Sequence, residues 1–221
     1  MIKKVVIPAA GIGTRLLPAT KEMPKEMLPL HNKNSNGVIC LKPVVQLVYE
    51  QLFNAGFREF CFIVGRGKRT IEDHFSPDLR YLDKLEESGR SQASRDLEEF
   101  YKKIETSTII WINQPTPKGF GHAVLQAKSF TNQESFLVHA GDTYITSNSE
   151  EHIKQIIQTK VNVDTILCLL EVEDTEHYGI AEITGIKSPY KVKRVEEKPK
   201  KPTTNLAIMP IYLFSDKIYK A

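Results

Sequence analysis

Residues 9–15 (AAGIGTR) form a glycine-rich segment that follows directly on a short apolar run. A glycine-rich turn at the end of a parallel strand lets backbone N–H groups approach phosphates closely. The segment is not a P-loop, because no Gly-Lys-Ser/Thr follows, and its GxGxR spacing differs from the GxGxxG of dinucleotide-binding folds. The pattern therefore predicts a phosphate-binding turn, with a bare turn as the alternative.

A lysine-containing segment, residues 21–30 (KEMPKEMLPL), follows shortly after this turn. Pro24 and Pro29 exclude a long helix, so we expect a shaped loop. Such a loop would present Lys25 next to the glycine-rich turn, where its ammonium group could meet a phosphate. Taken alone, Lys25 is better explained as a solvated surface lysine.

A Pro/Gly-rich loop at residues 114–123 (QPTPKGFGHA) leads into a predicted helix. Gly119 and Gly121 could let a flat ligand lie against the backbone. Gln114 offers both a donor and an acceptor to the edge of a base. The alternative is a Pro/Gly turn that only starts the helix.

Carboxylates stand at the ends of two further predicted strands. Asp142, in residues 140–143 (AGDT), follows an apolar strand, and open α/β sheets hold ligands and hard cations at this edge. Residues 195–199 (VEEKP) offer a carboxylate for sugar hydroxyls and an ammonium group for a phosphate. The alternatives are an aspartate that caps a turn and a solvated run of charges.

Basic side chains are concentrated in two separate parts of a nearly neutral chain. The 221 residues carry 30 Lys+Arg against 27 Asp+Glu, a net charge of +3 that is too weak to indicate nucleic-acid binding. One cluster consists of Lys3, Lys4, Arg15, Lys21 and Lys25, and the other of Lys198, Lys200 and Lys201. Two cationic segments suit a small polyanion held between them, although solvated lysines would look the same.

Strand and helix patterns alternate around these segments and predict a layered α/β sheet with right-handed crossovers. Apolar strands are expected at residues 2–7, 58–65, 107–113, 135–140 and 164–172. Helices are expected at residues 42–55, 121–130 and 147–161, the last with a capping box formed by Ser147 and Glu150.

Two regions depart from this alternation. Residues 78–105 are highly charged and predict two surface helices split near Gly89, an insertion rather than a domain. After residue 172, short strands at 179–183, 192–196 and 205–214 are separated by Gly, Ser-Pro and Lys-Pro turns. That spacing is typical of an antiparallel or mixed edge of a sheet.

The three cysteines, Cys40, Cys61 and Cys168, are far apart and form no CxxC or Cys/His pair. We therefore expect free thiols rather than a disulfide framework or a zinc site. No apolar run approaches the ~18 residues needed to cross a bilayer, and no signal peptide is recognisable. We expect a soluble, cytoplasmic protein without a membrane partner.

The five segments in this order, GxGTR, PKEMLP, QxxxKGxGHA, GD and EEKP, resemble the sugar-1-phosphate nucleotidyltransferases, in particular the bacterial-type UTP–glucose-1-phosphate uridylyltransferases. The resemblance covers nearly the whole chain. It implies a three-layer, Rossmann-like mixed and mainly parallel sheet flanked by helices, the nucleotide-diphospho-sugar transferase fold. It also implies a single domain over residues 1–221, with its sugar-binding part at about 172–221, and a homo-oligomer.

The activity that the resemblance implies is Mg²⁺-dependent transfer of a uridylyl group from UTP to glucose 1-phosphate, giving UDP-glucose and pyrophosphate. A phosphate oxygen of the sugar attacks the α-phosphorus, and no covalent enzyme intermediate is needed. The protein must align two polyanions and stabilise the charge on the transferring group. Cations and a divalent metal meet that requirement.

Residue roles follow from the same resemblance. Arg15 would neutralise the β- and γ-phosphates and Lys25 would lie on the α-phosphate. Gln114 and Gly119 would read the uracil, and Asp142 would hold Mg²⁺. Gly179 and Glu197 would contact the glucose, and Lys198 would bind the sugar phosphate. The nucleotide-binding turn would comprise Ala9, Ala10, Gly11, Gly13 and Thr14. A second metal-binding aspartate is expected well downstream of the EEKP segment, beyond residue 221.

Other functions share parts of this pattern. Glucose-1-phosphate thymidylyltransferases use a similar scaffold, and a single methyl group on the base usually shifts selectivity only ~10- to 200-fold. A non-catalytic nucleotide-sugar-binding regulatory subunit would keep the same fold. A nicotinamide-dependent dehydrogenase is a third alternative.

Overall fold

The structure, a computed structural model, describes residues 2–159, 163–185 and 188–220. In these residues, ten strands and seven α-helices occur. The strands are β1 (Lys4–Pro8), β2 (Pro29–Lys33), β3 (Ile39–Pro43), β4 (Glu59–Val64), β5 (Thr108–Asn113), β6 (Phe136–His139), β7 (Thr165–Glu171), β8 (Gly179–Thr184), β9 (Lys191–Glu197) and β10 (Leu206–Phe214). The helices are α1 (Val44–Asn54), α2 (Arg69–His74), α3 (Leu79–Glu87), α4 (Ser91–Glu105), α5 (Phe120–Gln126), α6 (Lys128–Thr131) and α7 (Glu151–Gln158).

Eight strands form one mixed sheet in the order β5-β4-β1-β6-β10-β8-β9, with β7 on the other edge of β10. The first four strands of this order are parallel. Strand β10 runs antiparallel to β6, β7 and β8, and β8 and β9 form an antiparallel pair. The predicted α/β class, with a mixed, mainly parallel sheet flanked by helices, is confirmed.

The central strands are buried on both faces, which is why β1 and β4 are almost entirely apolar. Alternate side chains point to opposite faces. Val5 and Phe62 pack with α1, whereas Val6 and Ile63 pack with Ala123 and other residues of α5. Because side chains of β1 and β4 alternate between the two faces, α1 packs on one face of the sheet and α5 on the other.

The predicted helix over residues 42–55 begins later, at Val44, because residues 39–43 form β3. Within the described part of the chain, this strand pairs only with β2 and makes a separate two-stranded hairpin that the pattern did not predict. Asn34 builds its turn, since its Oδ1 accepts hydrogen bonds from the backbone N–H groups of Asn36 and Val38 at 3.1 and 2.9 Å. The two helices predicted on either side of Gly89 are present as α3 and α4.

The predicted capping box at Ser147 and Glu150 is wrong. Glu150 precedes α7 with a left-handed φ of 56°, and α7 starts at the next residue. The Ser147 hydroxyl instead forms a 2.6 Å hydrogen bond with Nδ1 of His152, so it is not a cap. The helix ends at Gln158, and the predicted end at residue 161 lies outside the described residues. Among the residues described, no helix is both long and apolar enough to cross a membrane.

Candidate active site

The loops after the four parallel strands meet at one edge of the sheet, because parallel strands share the edge at which they end. Backbone hydrogen bonds hold these loops together: Ala9 N–H donates to Ile63 O at 2.8 Å and Gly141 N–H donates to Pro8 O at 3.0 Å. Gln114 N–H donates to Val64 O at 2.7 Å. The carboxyl edge of a parallel sheet is where open α/β folds bind ligands.

The glycine-rich turn leaves β1 at this edge. Ala9 and Ala10 are buried, and Gly13 has a φ of 76°, a left-handed conformation that strongly favours glycine. The Thr20 hydroxyl donates a 2.7 Å hydrogen bond to the Gly13 carbonyl and closes the turn. Thr14 and Arg15 then form a short 3₁₀ turn, and both side chains are exposed.

Lys25 lies over the glycine-rich turn, as the prolines predicted. A Cβ atom added at Gly11 would lie 3.2 Å from Lys25 Nζ, so the side chain passes directly over the glycine. The ammonium group forms an ion pair with Oδ2 of Asp142, from the loop after β6. Both side chains are partly exposed, at 21% and 30%. The structure therefore brings the turn, one cation and one carboxylate into contact.

Gln114 is held inside its own loop. Its side chain is buried, and its Nε2 lies 2.7 Å from Nδ1 of His122 and 3.4 Å from the carbonyl of Gly119. These contacts fix the orientation of the amide and the shape of the loop between β5 and α5. His122 was not among the predicted site residues, although it stands in the quoted QPTPKGFGHA segment.

A second cluster gathers the residues predicted to bind the sugar. Gly179 and Glu197 are paired across β8 and β9, and a Cβ atom added at Gly179 would lie 3.1 Å from Glu197 Oε2. Lys198 N–H donates to Tyr178 O at 3.1 Å, and its Nζ lies 3.9 Å from Glu197 Oε1. The three predicted residues therefore lie side by side.

The register of β10 relates the two clusters. Ile211 of β10 pairs with His139 of β6, and Ala207 pairs with Ile180 of β8. At ~3.3 Å per residue, Ile180 of β8 lies roughly 13 Å beyond His139, in the direction in which β6 ends. Because Asp142 also lies just beyond His139, both clusters are on the same edge of the sheet.

Arg15 is the predicted site residue that remains apart. Its side chain takes part in none of the ion pairs found among the described residues. Its short turn begins directly after Gly13, so its charge is exposed beside the loop that Lys25 covers. Lys25 paired with Asp142, and the exposed charge of Arg15 in the next turn of the chain, suit a bound polyanion together with a divalent cation.

A histidine lies behind Asp142 at the end of β6. His139 is completely buried and its Nδ1–H donates to the Ala140 carbonyl at 2.9 Å. Burial lowers the pKa of His139 to about 4, so its ring is neutral at pH 7. No sequence pattern singled it out, because a lone histidine in an apolar strand has no motif.

Comparisons with known proteins find similarity along the whole chain. Residues 4–221 match the family described as Nucleotidyl transferase. The UTP–glucose-1-phosphate uridylyltransferase of Bacillus subtilis (strain 168) is 38% identical over 225 residues, which cover 99% of this chain and 72% of that protein. A solved UTP-bound UGPase from Acinetobacter baumannii superposes with a TM-score of 0.83 at 26% identity, covering 100% of this chain and 76% of that one. A UDP-glucose pyrophosphorylase complexed with UDP-glucose gives a TM-score of 0.78 at 28% identity, covering 100% and 78%.

Proposed function

The chain belongs to the nucleotidyl transferase family, and from this membership and the site we propose that it transfers the uridylyl group of UTP to glucose 1-phosphate. The products are UDP-glucose and pyrophosphate. One observation carries the proposal: Lys25 lies against Gly11 and pairs with Asp142 at the carboxyl edge of the parallel strands. The full-length similarity to uridylyltransferases selects this reaction from those that such a site could perform.

In this proposal, the loops after β1 and β5 bind UTP. Backbone N–H groups of Ala10 and Gly11 bind the phosphates, and Arg15 neutralises the β- and γ-phosphates. Lys25 contacts the α-phosphate, where negative charge increases during transfer. Gln114 and Gly119 hold the uracil, and the hydrogen bond between Gln114 and His122 presents the amide in one orientation.

The sugar end belongs to the β8–β9 pair. Glu197 accepts hydrogen bonds from glucose hydroxyls, and the missing side chain of Gly179 leaves that carboxylate accessible beside the backbone. Lys198 pairs with the phosphate of glucose 1-phosphate. Because β10 holds β8 and β6 in register, the two substrates approach from adjacent parts of one edge.

In the transfer, an oxygen of the sugar phosphate forms a bond to the α-phosphorus of UTP. The bond from that phosphorus to the bridging oxygen breaks, and pyrophosphate leaves with the electron pair. No bond to the protein forms. The side chains contribute by holding two polyanions together and by offsetting their repulsion.

Asp142 fits a magnesium ion that is shared with the substrate. Among the residues described, no group of three or more His, Cys, Asp or Glu side chains could hold a metal by themselves. Mg²⁺ at nucleotide sites commonly uses one or two carboxylates together with substrate phosphates and water. When bound, the ion would supply positive charge to the phosphate oxygens.

A substrate matrix tests the proposed function. UTP, dTTP, ATP and GTP are each mixed with the 1-phosphates of glucose, galactose and N-acetylglucosamine, and pyrophosphate release is followed in Mg²⁺ and in EDTA. We expect the highest kcat/KM for UTP with glucose 1-phosphate, and loss of turnover in EDTA. If calorimetry shows that UTP binds but no substrate pair releases pyrophosphate, the proposed enzymatic activity is contradicted. That result would support a nucleotide-binding subunit instead.

A further inference from the structure

A buried ion pair lies next to Lys25 and is not part of the substrate-binding groups described above. Glu26, the residue after Lys25, is 1% exposed, and its Oε2 accepts a 2.7 Å hydrogen bond from Nζ of Lys68, which is 6% exposed. Burial raises the pKa of Glu26, and the charge of Lys68 opposes that rise. Lys68 therefore compensates a carboxylate that would otherwise be buried alone.

The two partners belong to different loops at the catalytic edge. Glu26 lies in the 3₁₀ turn Lys25–Met27, whose first residue contacts Gly11 and Asp142. Lys68 follows β4, where its N–H donates to Gly65 O at 3.3 Å. A Cβ atom added at Gly65 would lie 3.3 Å from the Ala10 carbonyl, so this loop packs closely on the nucleotide-binding turn.

The Glu26–Lys68 ion pair contributes little to the free energy of unfolding. Replacing a buried pair with neutral side chains of similar volume is often neutral or stabilising, because desolvation of two charges offsets their attraction. A pair of defined geometry does restrict where its loops can lie. Glu26 and Lys25 are adjacent in the chain. A displacement of the Glu26 backbone therefore also displaces Lys25.

We propose that the Glu26–Lys68 pair is a positioning device, which holds the Lys25–Met27 turn so that the Lys25 ammonium lies above Gly11 and next to Asp142. This inference rests on the proposed function for its kinetic readout. Neither Glu26 nor Lys68 is among the residues proposed to bind the substrates. They act through Lys25, so their loss should lower kcat more than it raises the KM for UTP.

The test uses the double variant Glu26→Gln/Lys68→Met, which removes both charges and keeps the side-chain volumes close to the originals. Since misplacement of a catalytic group by ~1 Å can cost 10²-fold, we expect kcat to fall at least about tenfold, with the KM for UTP within about threefold. Thermal unfolding measured in parallel shows whether the variant is folded at the assay temperature.

A matched control is available in a second, partly buried ion pair. Glu50 pairs with Lys42 at 2.7 Å and with Lys103 at 3.3 Å, in a polar cleft of about 350 Å³ that contains none of the predicted site residues. The variant Glu50→Gln/Lys42→Met should change unfolding but leave kcat within about twofold of the wild type. Equal effects of the two double variants on kcat would contradict the proposal.

A further cycle separates positioning from general structural damage. In a Lys25→Ala background, the Glu26→Gln/Lys68→Met change should lower kcat by less than about twofold, because its effect passes through the missing ammonium group. If the double change lowers kcat in the Lys25→Ala background by the same factor as in the wild type, the inference is overturned.

Hydrogen exchange tests the same inference without turnover. The amides of residues 25–28 should exchange faster in Glu26→Gln/Lys68→Met than in the wild type or in the Glu50→Gln/Lys42→Met control. Unchanged exchange would show that the pair does not hold the turn, whatever the enzyme does. An inactive wild type with faster exchange in the variant would count against the proposed function alone.

Discussion

Lys25 and Asp142 neutralise each other at the point where phosphates are proposed to bind. An ion pair between partly exposed groups contributes only ~0–1 kcal/mol to stability. A bound phosphate can therefore replace the Asp142 carboxylate as the partner of Lys25 at little cost in free energy. Asp142 is then available to bind a cation. The contact is better explained by substrate binding than by stability.

Burial of His139 predicts a stability that depends on pH. Because its pKa is about 4 in the folded chain and ~6.5 when unfolded, the unfolded state binds a proton that the folded state does not as the pH falls from 6.5 to 4. The free energy of unfolding should therefore decrease as the pH falls through this window, with up to ~2 kcal/mol from His139 between pH 7 and 5. Urea unfolding at the two pH values measures the decrease.

The variant His139→Asn isolates this contribution, since an asparagine can still donate to the Ala140 carbonyl but does not titrate. Burial also lowers the pKa values of His74 and His152, so some pH dependence should remain. The difference between pH 7 and pH 5 should be smaller in the variant than in the wild type. An unchanged difference would contradict the assignment of this effect to His139.

Individual side chains differed in how well the sequence predicted them. The approach of Lys25 to the glycine-rich turn was predictable, because two prolines limit the path of a short loop. The partnership of Glu26 with Lys68 was not, since the two residues are 42 positions apart and each looks like an ordinary surface charge. Contacts of this kind depend on the tertiary structure and have no local pattern.

The central strands carry most of the core, and this predicts very different costs for two isoleucines. Ile63 of β4 is completely buried between the layers, whereas Ile110 of the edge strand β5 is 37% exposed. Ile63→Ala should destabilise the fold by ~2–5 kcal/mol through lost burial and a cavity, and Ile110→Ala by about 1 kcal/mol or less. Urea denaturation followed by circular dichroism measures both.

Ile110→Ala is the matched control in that experiment, because it removes the same atoms from a neighbouring strand of the same sheet. Similar losses in the two variants would mean that β4 is not the buried centre of the sheet.

Regular elements were predictable where burial imposes a clear period. Strands β1, β4, β5 and β6 were all recognised, because each is a short apolar run bounded by turns. The β2–β3 hairpin was missed since its strands are mostly exposed, including the apolar Leu30, Ile39 and Leu41, so burial imposes no clear period on them. The predicted capping box at Ser147 is wrong because the Ser147 hydroxyl is hydrogen-bonded to His152, a partner that the spacing rule does not consider.

The whole chain brings one antiparallel pair of strands to the edge where four parallel strands end. The net charge of +3 says little about this arrangement, because the useful charges are few and local. Backbone pairing through β10 determines how far Lys198 lies from Asp142, and no side chain needs to bridge them. The family was predictable because five ordered motifs covered nearly the whole chain, although each motif alone was ambiguous.

The ion pair between Lys25 and Asp142 offers the most direct test of this arrangement. Pyrophosphate release from UTP and glucose 1-phosphate is measured in Mg²⁺ for Lys25→Ala and Asp142→Asn. A matched control is Lys217→Ala with Asp164→Asn, an exposed Lys–Asp pair at 3.0 Å that includes none of the predicted site residues. We predict that kcat falls by at least roughly 10²- to 10³-fold in the site variants and stays within about twofold in the control, with all proteins folded. Near-wild-type turnover in Lys25→Ala or Asp142→Asn would contradict the account.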